Sequence, residues 1–150
     1  MTNITDEFPW IEKLLPDLPP APGLIVFDVD CTLVDATPEY NLRPGVHELF
    51  EWLTSVGYRI ALWSGGGEDH VREVAFFRYL IRYNCSMYRK PSFPLTARDA
   101  LTILGEAPLL IIDDDAHEAV PGWNFHHIEP FGPYEEPYEG PIVQQKEPAA

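Results

Sequence analysis

The chain has 150 residues, 45% apolar and 13% aromatic, so it is long enough for one sizeable core and too short for two ordinary domains. A formal net charge of −14 and a pI near 4.5 argue against a protein that holds nucleic acid or anionic membrane through its overall charge. No apolar run approaches the roughly 18 residues of a membrane span, and the two cysteines, Cys31 and Cys85, form no disulfide framework.

These features predict a reduced, soluble protein of the cytoplasm. Residues 1–9 carry Asp6 and Glu7 and lack the basic and apolar regions of a signal peptide. The middle of the chain is expected to be locally positive, because only Glu73 and Asp99 oppose six of the ten basic residues there. These six are Arg72, Arg78, Arg82, Arg89, Lys90 and Arg98.

Many of the 16 prolines fall near the two ends of the chain. We therefore predict extended arms over residues 1–22 and 129–150, on either side of a domain at 23–128. The arms could hold a protein partner or support self-association. Aromatic residues around the second arm are expected to pack part of it on the domain, while the last residues fray; these are Trp123, Phe125, Phe131, Tyr134 and Tyr138.

Within the domain, residues 24–27 are an unbroken apolar run that ends at Asp28, which is typical of a strand buried on both faces. Arg43-Pro44-Gly45 opens a predicted helix that runs to about Ser55, before Gly57. Its core-facing residues have helical spacing and are Val46, Leu49, Phe50 and Leu53. Residues 58–63 form the second predicted strand.

A second helix is predicted from Glu68 to about Tyr83, because its acidic first turn suits the helix dipole. Its apolar face consists of Val71, Val74, Ala75, Phe77 and Leu80. A short strand at 87–88, a helix at 96–104 closed by Gly105, and a strand at 109–112 follow. Strands alternating with helices predict an α/β fold, a mainly parallel, three-layer, Rossmann-like α/β/α sandwich.

Parallel strands would bring the residues that follow their carboxyl ends to one edge of the sheet, where such sheets bind ligands. Those residues are Asp28, Asp30, Ser64, Lys90, Asp113 and Asp114. Carboxylates suit a hard divalent cation, a hydroxyl and a lysine suit an anionic substrate, and one carboxylate is free to attack. This set predicts phosphoryl transfer.

The same residues resemble the haloacid dehalogenase (HAD)-like hydrolase superfamily. Asp28-Val29-Asp30-Cys31-Thr32-Leu33 matches its first motif, Asp-x-Asp-x-Thr-(Leu/Val), although many relatives carry glycine where Cys31 stands. Residues 60–64 match the second motif, an apolar strand that ends in Ser or Thr, and Lys90 is the candidate for the third. Residues 109–114 match the fourth, an apolar strand that ends in acids. The resemblance covers most of residues 24–120.

The resemblance implies that Asp28 attacks phosphorus and becomes an aspartyl phosphate, while Asp30 protonates the leaving oxygen and then activates water. Mg²⁺ would be held by Asp28, the backbone carbonyl of Asp30, and an acid of the following run, Asp113 first and Asp114 second. Asp113, Asp114 and Asp115 cannot all be ligands, and one of them could instead cap the next helix.

Phosphate oxygens would be bound by Ser64 and the amides of Gly65 and Gly66, with Lys90 neutralising charge during transfer. Thr32 would stabilise the turn that carries the two acids. His117, His126 and His127 lack zinc-ligand spacing, so we expect surface or packing roles for them.

Asp30 and Ser64 are 34 residues apart and Lys90 and Asp113 are 23 apart, which leaves room for a short flap at 34–41 but for no cap domain. The resemblance therefore implies a capless Mg²⁺-dependent phosphatase, open to phosphoproteins, nucleic-acid ends or sugar phosphates. The alternatives are a catalytically silent HAD-fold protein-binding module and, less favoured because it needs a cap to exclude water, a phosphotransferase.

Overall fold

The computed structural model describes residues 4–91 and 96–132. Within them lies a parallel sheet of five strands: β1 (Leu24–Asp28), β2 (Arg59–Ser64), β3 (Ser86–Arg89), β4 (Leu110–Asp113) and β5 (Phe125–His127). Their spatial order is β3-β2-β1-β4-β5. The predicted α/β fold with a parallel sheet is confirmed. The sequence did not predict β5, and the expectations for Tyr134, Tyr138 and the chain end lie outside the described residues.

Strand β1 is the centre of the sheet, with Val26 paired to Ala61 on one side and to Ile111 on the other. Successive side chains of a strand point to opposite faces. Accordingly, Ile25 and Phe27 belong to one buried apolar cluster, and Leu24 and Val26 belong to a second. Burial on both faces explains why this part of the sequence is continuously apolar.

The N-terminal segment is helical where an extended arm was predicted, so that prediction was wrong for residues 4–17. Helices α1 (Ile4–Glu7) and α2 (Pro9–Leu14) lead into a 3-10 turn, and Ile11 is fully buried. Pro9 occupies the first helical position, where its missing N–H costs nothing. Ile11 and the end of α2 then fill the core beside the helices of the domain.

Three further helices flank the sheet: α3 (Val46–Ser55), α4 (Glu68–Phe77) and α5 (Ala97–Leu104). Helices α3 and α4 pack on the Ile25 and Phe27 face, and α5 contributes Ala100 to the cluster on the opposite face. The predicted core face of α3 is confirmed, since Val46, Leu49, Phe50 and Leu53 are all buried.

Helix α4 ends earlier than predicted. Tyr79 adopts a left-handed backbone conformation with φ of 63°, and a 3-10 turn follows over Leu80–Tyr83. The break shifts the helical phase, so Leu80 returns to the core while Phe77 is 60% exposed. The predicted burial of Phe77 was therefore wrong, whereas that of Val71, Val74, Ala75 and Leu80 is confirmed.

Two of the six basic residues in the middle stretch do not add unpaired positive charge to the surface. Lys90 is turned into the protein, and Arg72 pairs with Glu68 one turn earlier at 2.6 Å. Arg78 donates to the backbone carbonyl of Glu39 at 2.5 Å. Among the described residues, no helix has both the length and the apolar character that crossing a bilayer requires.

Candidate active site

The carboxyl ends of strands β1, β4 and β3 bring a buried lysine and two buried aspartates into contact. Asp28 ends β1, Asp113 ends β4, and Lys90 follows β3. Lys90 Nζ lies 2.7 Å from Asp28 Oδ1 and 2.8 Å from Asp113 Oδ2. Glu118 adds a third oxygen at 3.5 Å from the same ammonium. The four residues form the centre of the candidate site.

Burial at this centre works against ionisation of its carboxyl groups and raises the pKa of Asp28, Asp113 and Glu118. Burial raises the pKa of Asp28 well above its ordinary value; Lys90 opposes this rise and Asp113 adds to it. Burial alone would lower the pKa of Lys90, but Asp28 and Asp113 outweigh that effect and raise it. The ammonium therefore stays protonated, and one positive charge faces several carboxyl groups.

The turn that leaves β1 is held by Thr32. Its Oγ1 lies 3.1 Å from both Asp28 Oδ2 and Asp114 Oδ1, and it accepts a hydrogen bond from the Asp114 amide at 3.1 Å. Within this turn Cys31 has a positive φ of 65°, which glycine adopts more easily. Thr32 thus ties the β1 turn to the β4 turn, and Asp28 has a donor on each oxygen.

Asp28, Asp113 and Asp114 have oxygens that all lie within 4.8 Å of one another, as the ligands of one metal ion would. Carboxylate oxygens are ligands that Mg²⁺ prefers, and a divalent cation would stabilise the ionised carboxylates that burial disfavours. Asp115 instead caps the 3-10 turn Ala116–Glu118 by accepting from the His117 amide at 3.0 Å. The donor set therefore fits a hard cation.

Asp30 lies apart from that cluster, in a second group of side chains. Its Oδ2 accepts from Ser64 Oγ at 2.8 Å, and its Oδ1 lies 2.8 Å from His70 Nε2. Ser64 Oγ also accepts from the Gly66 amide at 3.0 Å. Gly65 is exposed, and a Cβ there would meet nothing within 4 Å. The Ser64 hydroxyl, which was predicted to bind phosphate, thus donates a hydrogen bond to Asp30, the predicted acid.

Arg43 stabilises the turn after β1 through hydrogen bonds. The sequence analysis did not predict this role. Its Nε donates to the Thr32 carbonyl at 2.7 Å, and a terminal nitrogen donates to the Glu129 carbonyl at 2.6 Å. The guanidinium lies between the rings of Trp10 and Phe131, at 5.4 and 5.3 Å. Burial lowers the pKa of Arg43 to about 10, against the opposing effect of nearby acids.

The three histidines near the end of the domain lie in separate contacts. His117 is beside Asp115, His126 Nδ1 lies 2.7 Å from Asp17, and His127 Nε2 donates to the Asp114 carbonyl at 2.9 Å. Among the described residues, the group that could hold a metal ion contains none of them.

His70 and Glu118 were also missed by the sequence reasoning. Their signals were weak: His70 lies in the first turn of the helix after Ser64, and Glu118 lies four residues beyond Asp114. Comparison of the chain with known protein families and with curated proteins found no match.

Proposed function

We propose that this protein is a Mg²⁺-dependent phosphomonoester hydrolase that acts through an aspartyl phosphate on Asp28, with a capless HAD-like, three-layer α/β/α fold. One observation carries the proposal. A buried aspartate at the end of the central strand is held 2.7 Å from a buried lysine and shares a 4.8 Å cluster with two further aspartates. A nucleophile, a cation site and a fixed positive charge are what phosphoryl transfer to a carboxylate needs.

In the first step, ionised Asp28 attacks phosphorus while the bond from phosphorus to the leaving oxygen breaks and Asp30 gives that oxygen its proton. In the second, water attacks phosphorus, passes a proton to Asp30, and the bond to Asp28 breaks. Phosphate leaves and both acids are restored. Lys90 and Thr32 hold Asp28 in one orientation throughout, since each contacts one of its oxygens.

Asp28, Asp113 and Asp114 would hold Mg²⁺, with the Asp30 carbonyl as a further ligand, and the ion would supply the positive charge that lets carboxylate and phosphate approach. Ser64, the Gly65 and Gly66 amides, and Lys90 would bind phosphate oxygens. For Ser64 this means exchanging its contact with Asp30 for one with substrate.

The proposed substrate class rests on the short chain segment between Asp30 and Ser64, which has no room for a cap domain. Between Asp30 and Ser64 the chain holds only the flap, α3 and β2. Within the flap at 34–41, Asp35 accepts hydrogen bonds from the Thr37 hydroxyl at 2.7 Å and from the Asn41 amide at 3.0 Å. A crevice without a cap suits large phosphate esters such as phosphoproteins, nucleic-acid ends and sugar phosphates, and the proposed location is the cytoplasm.

A second candidate function, a catalytically silent protein-binding module, is favoured by a group of exposed rings. Phe76, Phe77 and Tyr79 are 71%, 60% and 59% exposed and follow one another at the end of α4. Large exposed apolar groups that lie together often mark a binding surface. The predicted arm at 129–150 would be a further contact for a partner.

The test is hydrolysis of p-nitrophenyl phosphate and of a panel of phosphopeptides, sugar phosphates, nucleotides and phosphorylated oligonucleotides. We expect activity with Mg²⁺, none with EDTA, and none for Asp28→Asn. Asp69→Asn is the matched control, because it makes the same chemical change on the exposed first turn of α4. Wild-type inactivity across the panel would reject the phosphatase and leave the binding module.

A further inference from the structure

The acid Asp30 is held on both carboxylate oxygens by side chains of the next strand and helix. His70 Nε2 lies 2.8 Å from Asp30 Oδ1, and Ser64 Oγ lies 2.8 Å from Asp30 Oδ2. The Asp30 side chain is 42% exposed, and a side chain this exposed is ordinarily free to change rotamer. Without substrate, two donors on opposite oxygens restrict that freedom; once Ser64 turns to the substrate phosphate, His70 is the donor that keeps Asp30 in place.

The position of His70 is itself fixed by neighbours. Its ring meets the Tyr40 ring edge-on, with centroids 5.6 Å apart and planes at 72°. A Cβ at residue 66 would lie 3.2 Å from His70 Cδ2 and 3.3 Å from Ser64 Oγ. Gly66 thus leaves the space in which both donors reach Asp30. A surface histidine on a helix would need neither the ring contact nor this space.

The chemistry of the contact sets the proton on His70. While Asp30 is ionised, between the two steps, its carboxylate can only accept hydrogen bonds, so Nε2 carries the proton that faces Oδ1. Each carboxylate oxygen has two lone-pair sites, and His70 and Ser64 use one on each. The remaining sites can carry the proton that Asp30 transfers, and the Nε2 proton stays on His70 through both steps.

We propose that His70 is a positioning residue that aims Asp30 at the leaving oxygen, and that this site is thereby built for phosphate esters of aliphatic alcohols. This inference rests on the proposed phosphatase. An alkoxide is a poor leaving group and needs a proton as the bond to phosphorus breaks. A nitrophenolate is stable without one, so its ester depends little on the acid.

The experiment compares p-nitrophenyl phosphate with an alkyl ester that the wild-type enzyme hydrolyses, such as a phosphoserine peptide. For His70→Ala we expect kcat for the alkyl ester to fall about 100-fold, the usual scale of one proton-transfer contribution, with KM nearly unchanged. For p-nitrophenyl phosphate the fall should be about threefold or less on the same reasoning. His70→Gln, which can place an amide N–H near the position of Nε2, should restore most of the alkyl-ester rate.

His47→Ala is the histidine control, since His47 lies on α3 and contacts Tyr83 at 2.7 Å, away from Asp30. Circular dichroism of each variant checks folding, and His70→Gln keeps the comparison informative if His70→Ala unfolds. An equal fall for both esters, or no rescue by His70→Gln, would overturn the positioning role while the phosphatase stands. A wild-type enzyme inactive on every ester of the panel would overturn the phosphatase and this inference with it.

Discussion

Replacing Lys90 by methionine should destabilise the protein strongly, because two buried carboxylates would lose their shared counter-charge. Lys90 is 7% exposed, with contacts of 2.7 and 2.8 Å. At an effective dielectric constant near 20, each contact has a gross attraction of about 6 kcal/mol. Desolvation of the ions offsets several kcal/mol of this, and breaking a buried pair from one side typically costs about 3–5 kcal/mol. Whole domains have only about 5–15 kcal/mol of stability.

The assay is urea unfolding in EDTA, with Arg89→Met as the control. Arg89 is the adjacent cation and its side chain is exposed, so its removal should cost about 0.5 kcal/mol or less. Mg²⁺ should restore part of the stability of Lys90→Met, since a divalent cation can neutralise the same carboxylates. A loss for Lys90→Met as small as that for Arg89→Met would refute the view that this lysine holds the centre of the site.

Three further predictions concern the flap, one glycine and one cysteine. Hydrogen bonds outweigh burial and lower the pKa of Asp35 in the folded protein, so its stabilisation is full above the ordinary pKa of 3.8 and is lost as pH falls through the folded value. Asp35→Asn should therefore lower the free energy of unfolding by about 1–3 kcal/mol at pH 7, and the gap from wild type should shrink in acid; a constant gap would contradict this. Gly45 and Gly105 both have positive φ, but only at Gly45 would a Cβ meet a ring, 2.8 Å from Phe8. Gly45→Ala should thus cost at least about 1 kcal/mol more than Gly105→Ala in thermal unfolding, and equal costs would show that Phe8 gives way. Burial raises the pKa of the Cys85 thiol to about 12, so peptide mapping should find its alkylation at pH 8 about 1,000-fold slower in the folded than in the urea-unfolded chain; rates within tenfold would contradict this.

The sheet could be predicted because its signals are local. Residues 24–27 and 109–112 are apolar without interruption and end at acids, and in the structure Leu24–Asp28 and Leu110–Asp113 are strands. Thr96 and Gly105 frame a helix by side-chain capping and a left-handed end, which are also properties of single residues. Element types and the edge at which the polar residues gather follow from such patterns.

The errors in the fold arose where packing overrides local preference. The proline-rich composition predicted that the N-terminal segment is extended. Instead Pro9–Leu14 is a helix, and Ile11 on it is fully buried in the core. The left-handed Tyr79 is a position that sequence does not mark, since a bulky residue seldom adopts it. Strand β5 has three residues of mixed polarity, so its pairing with β4 leaves no periodic signal.

The acidic and basic members of the site could be anticipated from strand ends, whereas their supporting contacts could not. Arg43 donates to the Thr32 carbonyl and lies over the rings of Trp10 and Phe131. These contacts join parts of the chain that are far apart in sequence. His70 contacts Asp30 from the first turn of α4, which begins just after the turn at Gly65 and Gly66. Such contacts depend on the relative placement of elements, which periodicity and composition do not determine.

The most direct test of the central claim is to trap the covalent intermediate. Enzyme mixed with a radiolabelled substrate from the active panel would be quenched in acid within one turnover and analysed by peptide mass spectrometry after borohydride reduction, which marks acyl phosphates. We predict radiolabel on the acid-quenched protein and, in the borohydride-treated sample, from which reduction has released the phosphate, an alcohol in place of the Asp28 carboxyl group; Asp28→Asn, and separately wild-type enzyme stripped of Mg²⁺, should show neither. Label on another residue, or turnover with no labelled protein at any quench time, would contradict it.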